Sequence, residues 1–134
     1  MAEAIIITTG DELLYGTTVD TNSAFICSRL FGTAITVKKH ITVPDSIDLI
    51  ISELTEASAN ADIIITTGGL GPTDDDNTVE AVCRIFNRSI ISDEQAENRM
   101  TDFFKSMKIR INDSDYKMAT VPSGSIVLKN TKGL

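Results

Sequence analysis

Two short isoleucine-rich runs, each closed by a glycine, constrain this chain more than any other feature. Residues 4–9 end at Gly10–Asp11, and residues 61–67 run into Gly68–Gly69. Runs of this length and composition suit strands covered on both faces, the arrangement a parallel sheet requires. Each is followed by apolar residues at helical spacing. Asp20 or Thr21 offers an N-cap for a helix carrying Ala24, Ile26, Cys27, Leu30 and Phe31, closed by Gly32. Residues 34–41 alternate in the manner of a strand, and Pro44–Asp45 opens a helix with Ile47, Ile50, Ile51, Leu54 and Ala57 on one face. Val79, Val82, Cys83 and Phe86 mark a third helix. Ser92–Asp93–Glu94–Gln95 has the form of a capping box and starts a fourth, reaching Met107. Residues 112–119 predict a turn or short helix, and residues 125–128 a late strand after the turn Pro122–Ser123–Gly124.

Strands alternating with helices predict an α/β fold of three layers, α/β/α, with a mostly parallel sheet and right-handed crossovers. At 134 residues the chain fits one domain with a substantial core, 1–134. It stops at Lys132–Gly133–Leu134 with no closing helix, an ending expected of the front part of a longer protein. No apolar run approaches the roughly 18 residues a membrane-spanning helix needs, and no secretory signal precedes the first strand. A cytoplasmic location is the expectation. The net charge of −7 disfavours nucleic acid, which is bound by clustered Lys and Arg. Cys27 and Cys83, 56 positions apart with no histidine or second thiol at metal spacing, are expected to be buried structural thiols.

In open α/β sheets ligands bind beyond the carboxyl ends of the strands. Two loops at that edge are unusual. One is Gly10–Asp11–Glu12–Leu13–Leu14, continuing through Gly16 to Asp20–Thr21–Asn22; the other is Gly68–Gly69–Leu70–Gly71–Pro72–Thr73 followed by Asp74, Asp75 and Asp76. Glycines 68, 69 and 71 permit positive φ and close approach of an anion to backbone amides at a helix start. The three aspartates would repel a bare phosphate unless a hard divalent cation such as magnesium bridges them, and such an ion also polarises phosphoryl oxygens. The same residues admit a structural reading, with aspartates as first-turn caps and glycines as ordinary turn residues. There is no Walker lysine and no third glycine of a dinucleotide fingerprint. His40 has no partner in sequence and is read as a strand or surface residue.

The motifs Gly10–Asp11–Glu12–Leu13–Leu14, Gly16, Asp20–Thr21–Asn22, Thr67 to Thr73, Asp75–Asp76, Thr78 and Pro122–Ser123–Gly124 stand in the order and spacing of a known family. The chain resembles the molybdopterin-binding MoaB/Mog-like domain over nearly its whole length, and most closely the amino-terminal domain of CinA-type proteins. The family pattern continues from an asparagine through a glycine into an Ala-Pro-Gly segment, which Asn130 and Gly133 begin. The resemblance implies a small phosphorylated ligand. In CinA-type domains this is ADP-ribose, cleaved at its pyrophosphate with a divalent metal; in the MoaB and Mog branches it is molybdopterin, bound or adenylylated. It implies catalytic and metal-binding roles for Asp75 and Asp76, phosphate contacts for Gly68, Gly69, Gly71 and Thr73, and ligand or metal contacts for Asp11, Asp20 and Asn22. It also implies a homo-oligomer, dimer or trimer.

Overall fold

The computed structural model describes residues 1–130. Strand β1, Ala2–Thr9, lies at the centre of a three-stranded parallel sheet, between β2, Ile35–Val43, and β3, Ile63–Thr67. From Ala4 onward every residue of β1 is buried. Alternation along the strand sends Ile5 and Ile7 to one face and Ala4, Ile6 and Thr8 to the other. Burial on both faces explains why the isoleucine run needs no polar alternation.

The Ile5 and Ile7 face meets helices α3, Ile47–Asn60, and α4, Thr78–Ile85. Ile50, Leu54 and Ala57 of α3 recur at spacings of four and three, which places them on one stripe. Together with Val43 and Ala81 they close the main core. A fully buried leucine or isoleucine contributes about 1.5–3 kcal/mol, so this stripe fixes α3 across the sheet. On the other face, helix α2, Thr21–Leu30, runs against β2, and its Ser23 is buried. The expected mostly parallel α/β architecture is therefore the observed one.

Pairing of β1 with β2 slips by one residue. Ala4 faces Val37, whereas Ile5 faces Lys39, so Lys38 is bulged out. Because side chains alternate along a strand, the slip decides which residue joins each face. It brings His40 level with Ile6 instead of Lys39. His40 thereby shares a face with Thr8.

Several boundaries differ from the sequence expectation. Residues 11–14 form a one-turn helix, α1 (Asp11–Leu14), where a loop was expected. Helix α5, Glu94–Ser106, is capped by Asp93, whose side chain accepts from the Ala96 N–H, while Ser92 ends a short strand β4, Ile90–Ser92. The reciprocal capping box instead belongs to Asn112 and Asp115, at the start of the 3-10 helix Asp113–Ala119. The late strand is Thr120–Pro122, β5, antiparallel to β4. Residues 125–128 form no regular element, because the antiparallel partner of β4 lies before the Pro122–Ser123–Gly124 turn and not after it. Cys83 is buried as expected, but Cys27 is only half-buried, since α2 covers the sheet edge with one face. The Gly133 position lies outside the described residues.

Candidate functional site

All three parallel strands deliver their carboxyl ends to one edge, and a loop with acidic residues follows each. The Gly10 N–H donates to the Val43 carbonyl at 3.1 Å, tying the ends of β1 and β2 together. Just beyond, Asp11 and Asp45 exchange bonds. The Asp11 N–H donates to Asp45 Oδ2 and the Asp45 N–H to Asp11 Oδ1, both at 3.1 Å. Burial raises the Asp45 carboxyl above the ordinary aspartate range; the bond from Asp11 opposes this, but repulsion from Asp11, Glu12 and Asp75 adds to it. Asp75, from the loop after β3, therefore belongs electrostatically with the pair across the sheet edge.

The glycine loop is held from several sides. Gly68 and Gly69 have φ of +93° and +62°, as expected. A Cβ on Gly68 would stand 2.2 Å from the Thr9 carbonyl oxygen, and one on Gly69 would stand 2.4 Å from Thr78 Oγ1. Thr78, fully buried at the start of α4, donates its hydroxyl to the Gly68 carbonyl at 2.9 Å and its N–H to the Gly69 carbonyl at 3.2 Å. Gly71 departs from expectation, because its φ is not positive. What it provides is room, since a Cβ there would lie 2.7 Å from Asp76 Oδ2.

Asp76 Oδ2 accepts the Thr73 N–H at 2.8 Å and the Thr73 hydroxyl at 2.6 Å. Burial pushes the Asp76 carboxyl up, but the Thr73 and Gly71 bonds and the Lys117 charge outweigh it and hold the group below its ordinary range. Asp74, Asp75 and Asp76 were expected at the helix start. They stand before it, in a turn of their own, and Asn77 precedes the first residue of α4 without a side-chain cap.

Of the remaining predicted residues, Asn22 reaches the sheet edge, donating to Thr67 Oγ1 at 3.0 Å beside Gly68. Asp20 is used differently. Its Oδ1 accepts the Ser23 N–H at 2.9 Å and caps α2, and its Oδ2 lies 3.2 Å from His40 Nε2, which is also 3.3 Å from Thr8 Oγ1. Burial opposes ionisation of Asp20, yet the Ser23 and Thr8 bonds and His40 together lower its pKa.

Two residues of the site were missed in the sequence. Asp45 was read only as a helix opener, although an aspartate directly after a strand at the ligand-binding edge was a usable signal. Lys117 carried no local signal. From the 3-10 helix its Nζ donates to the Thr73 carbonyl and faces Asp76. It lines both a cavity of about 190 Å³ beside Gly69, Gly71 and Asp76 and an adjoining one of about 420 Å³.

Among the described residues, no three His, Cys, Asp or Glu side chains already close around a single metal position. The donor chemistry nonetheless fits a hard divalent cation. Asp11, Asp45 and Asp75 offer carboxylate oxygens; burial first, and then repulsion from Asp11, Glu12 and Asp75, raises the Asp45 pKa, and a bound cation would offset that repulsion.

Residues 5–130 match the family model described as "Probable molybdopterin binding domain". The chain belongs to that family. Among similar proteins, a CinA-like protein of Desulfosudis oleivorans is 41% identical over 130 residues, covering 97% of this chain and 32% of its own. One of Chlorobium limicola is 37% identical over 130 residues, covering 97% of this chain and 30% of its own. The chain thus spans about a third of the length of such relatives. The crystal structure of CinA from Thermoplasma acidophilum, of unknown function, superposes with a TM-score of 0.83 at 32% identity, covering 98% of this chain and 77% of that one. MoaB of Thermus thermophilus, a molybdopterin biosynthesis enzyme, shares the fold with a TM-score of 0.63 at 23% identity, covering 90% of this chain and 71% of its own. No helix among the described residues is long and apolar enough to cross a membrane.

Proposed function

We propose that this domain hydrolyses the pyrophosphate of a dinucleotide-like substrate, ADP-ribose being the compound to test, with a divalent cation as cofactor. The observation that carries the reading is the convergence of Asp11, Asp45 and Asp75 on the edge that also presents the Gly68–Gly69 turn. Bound there, a cation such as magnesium would supply charge neutralisation for the pyrophosphate and a lowered pKa for water. The protein's own residues do the positioning. The positive φ of Gly68 and Gly69 turns the loop at the strand end where a phosphate would be received, while Asp76 and Thr73 keep the loop in shape. Asn22 steadies the strand end beneath it. Water adds to one phosphorus, the bridging P–O bond breaks, and the products are AMP and ribose 5-phosphate.

Release of AMP from ADP-ribose, measured with magnesium, manganese or cobalt and again with chelator, tests the reading. Asp75→Asn and Asp76→Asn are expected to reduce the rate by about 100-fold or more if the acidic loop serves the chemistry. Full turnover in chelator, or in both variants, rejects it.

A second reading is favoured by the family description and by the fold shared with MoaB: the same cradle holds a pterin phosphate without hydrolysis. Tight binding of molybdopterin with no turnover of ADP-ribose selects it. For either ligand we propose a homo-oligomer, dimer or trimer, supported by three exposed aromatic side chains: Tyr15 after α1, Phe25 within α2 and Phe31 at its end, 76%, 64% and 90% exposed.

A further inference from the structure

Beside the glycine loop, and separate from the acidic edge, lies the cavity of about 420 Å³ between α4, α5 and the 3-10 helix. Its volume falls in the ordinary range for small-molecule sites. Leu70, Val79, Met100 and Met118 make its wall apolar, and two cations, Arg99 and Lys117, interrupt that wall. Among the described residues the side chain of the half-buried Arg99 makes no hydrogen bond and no ion pair, in a chain whose net charge is −7. A guanidinium left without a carboxylate at an apolar wall is suited to a flat π-system, on which it can stack while donating to ring nitrogens at the edge. Lys117 stands where this cavity adjoins the smaller one lined by Gly69, Gly71 and Asp76. None of Asp11, Glu12, Asp45 and Asp75 lines either cavity.

We propose that this cleft is the subsite for the fused nitrogen heterocycle of the ligand, with Arg99 against the ring and Lys117 at the neck meeting the phosphate that the glycine loop receives. The proposal rests on the reading above that the ligand is a phosphorylated heterocycle, and it fixes the ligand's direction: ring toward α5, phosphate toward Gly69. A purine nucleotide and a pterin phosphate share this chemistry. Arg99 discriminates neither by charge; the two differ in the pattern of ring donors and acceptors.

Calorimetric titration with AMP, neopterin phosphate and ribose 5-phosphate, in magnesium, tests it on the wild type, Arg99→Ala, Lys117→Met and Leu70→Trp. Arg99→Ala is expected to weaken whichever heterocycle binds by about fivefold or more while leaving ribose 5-phosphate within twofold. Lys117→Met is expected to weaken all three, and Leu70→Trp, filling the cleft from an exposed position, to exclude the heterocycle alone. Tighter AMP than neopterin phosphate identifies a purine subsite, and the reverse a pterin subsite. Equal loss for ribose 5-phosphate and the heterocycles in Arg99→Ala, unchanged heterocycle binding in both Arg99→Ala and Leu70→Trp, or no heterocycle binding to the wild type overturns the proposal. ADP-ribose turnover followed on the same samples separates the two readings. The binding pattern without turnover rejects the hydrolase and keeps the cleft, and turnover indifferent to Arg99 and Leu70 does the opposite.

Discussion

Asp11 and Asp45 each accept the other's backbone N–H through a side-chain oxygen, at 3.1 Å in both directions. This reciprocal arrangement locks the β1 and β2 exits together, and it holds two carboxylates close in a protein that is already acidic.

The sign of the resulting pH dependence follows from the raised Asp45 pKa. A carboxyl whose folded pKa exceeds its unfolded value, about 4, favours folding in its protonated form; that contribution is full below about pH 4 and is lost as pH rises through the folded value. At pH 7, Asp45→Asn is therefore expected to melt higher than the wild type, with the gap closing toward pH 4. Magnesium should raise the wild-type Tm and leave the variant's nearly unchanged. An equal magnesium shift in both proteins would show that Asp45 is no donor.

Asp76 behaves oppositely. Its folded pKa is depressed, so its stabilisation is present above about pH 4 and is lost as pH falls through the lower folded value. Removing the hydroxyl with Thr73→Val leaves one of the two bonds to Oδ2 and is expected to cost about 1 kcal/mol at pH 7, a low figure because the loop meets solvent. Urea unfolding at pH 7 and pH 3 checks both parts. A cost that persists undiminished at pH 3 would contradict the assignment to the ionised form.

Gly68→Ala combines a left-handed φ of +93° with a contact of 2.2 Å to the Thr9 carbonyl oxygen. It is expected to destabilise by about 2–4 kcal/mol. Gly16→Ala is the matched control: φ is +72°, but nothing lies within 4 Å of the added Cβ, so about 1 kcal/mol is expected. Equal losses by denaturant titration would mean that backbone conformation alone, and not the approach of β1, requires a glycine at 68.

The N-cap role of Asp20 separates from its contact with His40. Asp20→Asn keeps an oxygen for the Ser23 N–H and should cost little, whereas Asp20→Ala should cost about 1 kcal/mol of α2 stability. A double-mutant cycle with His40→Gln measures the remaining coupling, expected to be about 1 kcal/mol at a pair whose side chains are 36% and 15% exposed.

The proposed homo-oligomer is checked by sedimentation. Phe31→Glu, at a side chain 90% exposed, is expected to leave Tm within a few degrees while shifting any dimer or trimer toward monomer. A wild type that is monomeric at micromolar concentration removes the reading.

Much of the scaffold was legible from local pattern. The isoleucines of β1, the apolar stripe of α3 and the glycines at 68 and 69 each announce themselves through period, length or a conformational demand that few residues meet. The capping box was misplaced because Ser92 and Asp93 are both acceptable caps, and only the pairing of β4 with β5 settles which residue ends the strand. The antiparallel ribbon is not legible on either side: β4 gives no strand signal and the late strand is expected after the Pro122–Ser123–Gly124 turn instead of before it, since three residues each are too few to show a period.

From the sequence alone came the parallel α/β order, the edge on which a ligand would bind, and the family motifs of its loops. These depend on neighbours in the chain: strand period, helix stripe, and glycine conformations set by steric exclusion. Tertiary structure decided which acidic residues act together. It joined Asp45 to Asp11 and Asp75 across three strand ends, turned Asp76 inward to Thr73, brought His40 to Thr8 through a one-residue slip, and carried Lys117 back across 44 positions to the glycine loop. The physical reason is that charge and hydrogen bonding act over a few ångströms of space, and the crossovers of a parallel sheet make those distances independent of separation along the chain.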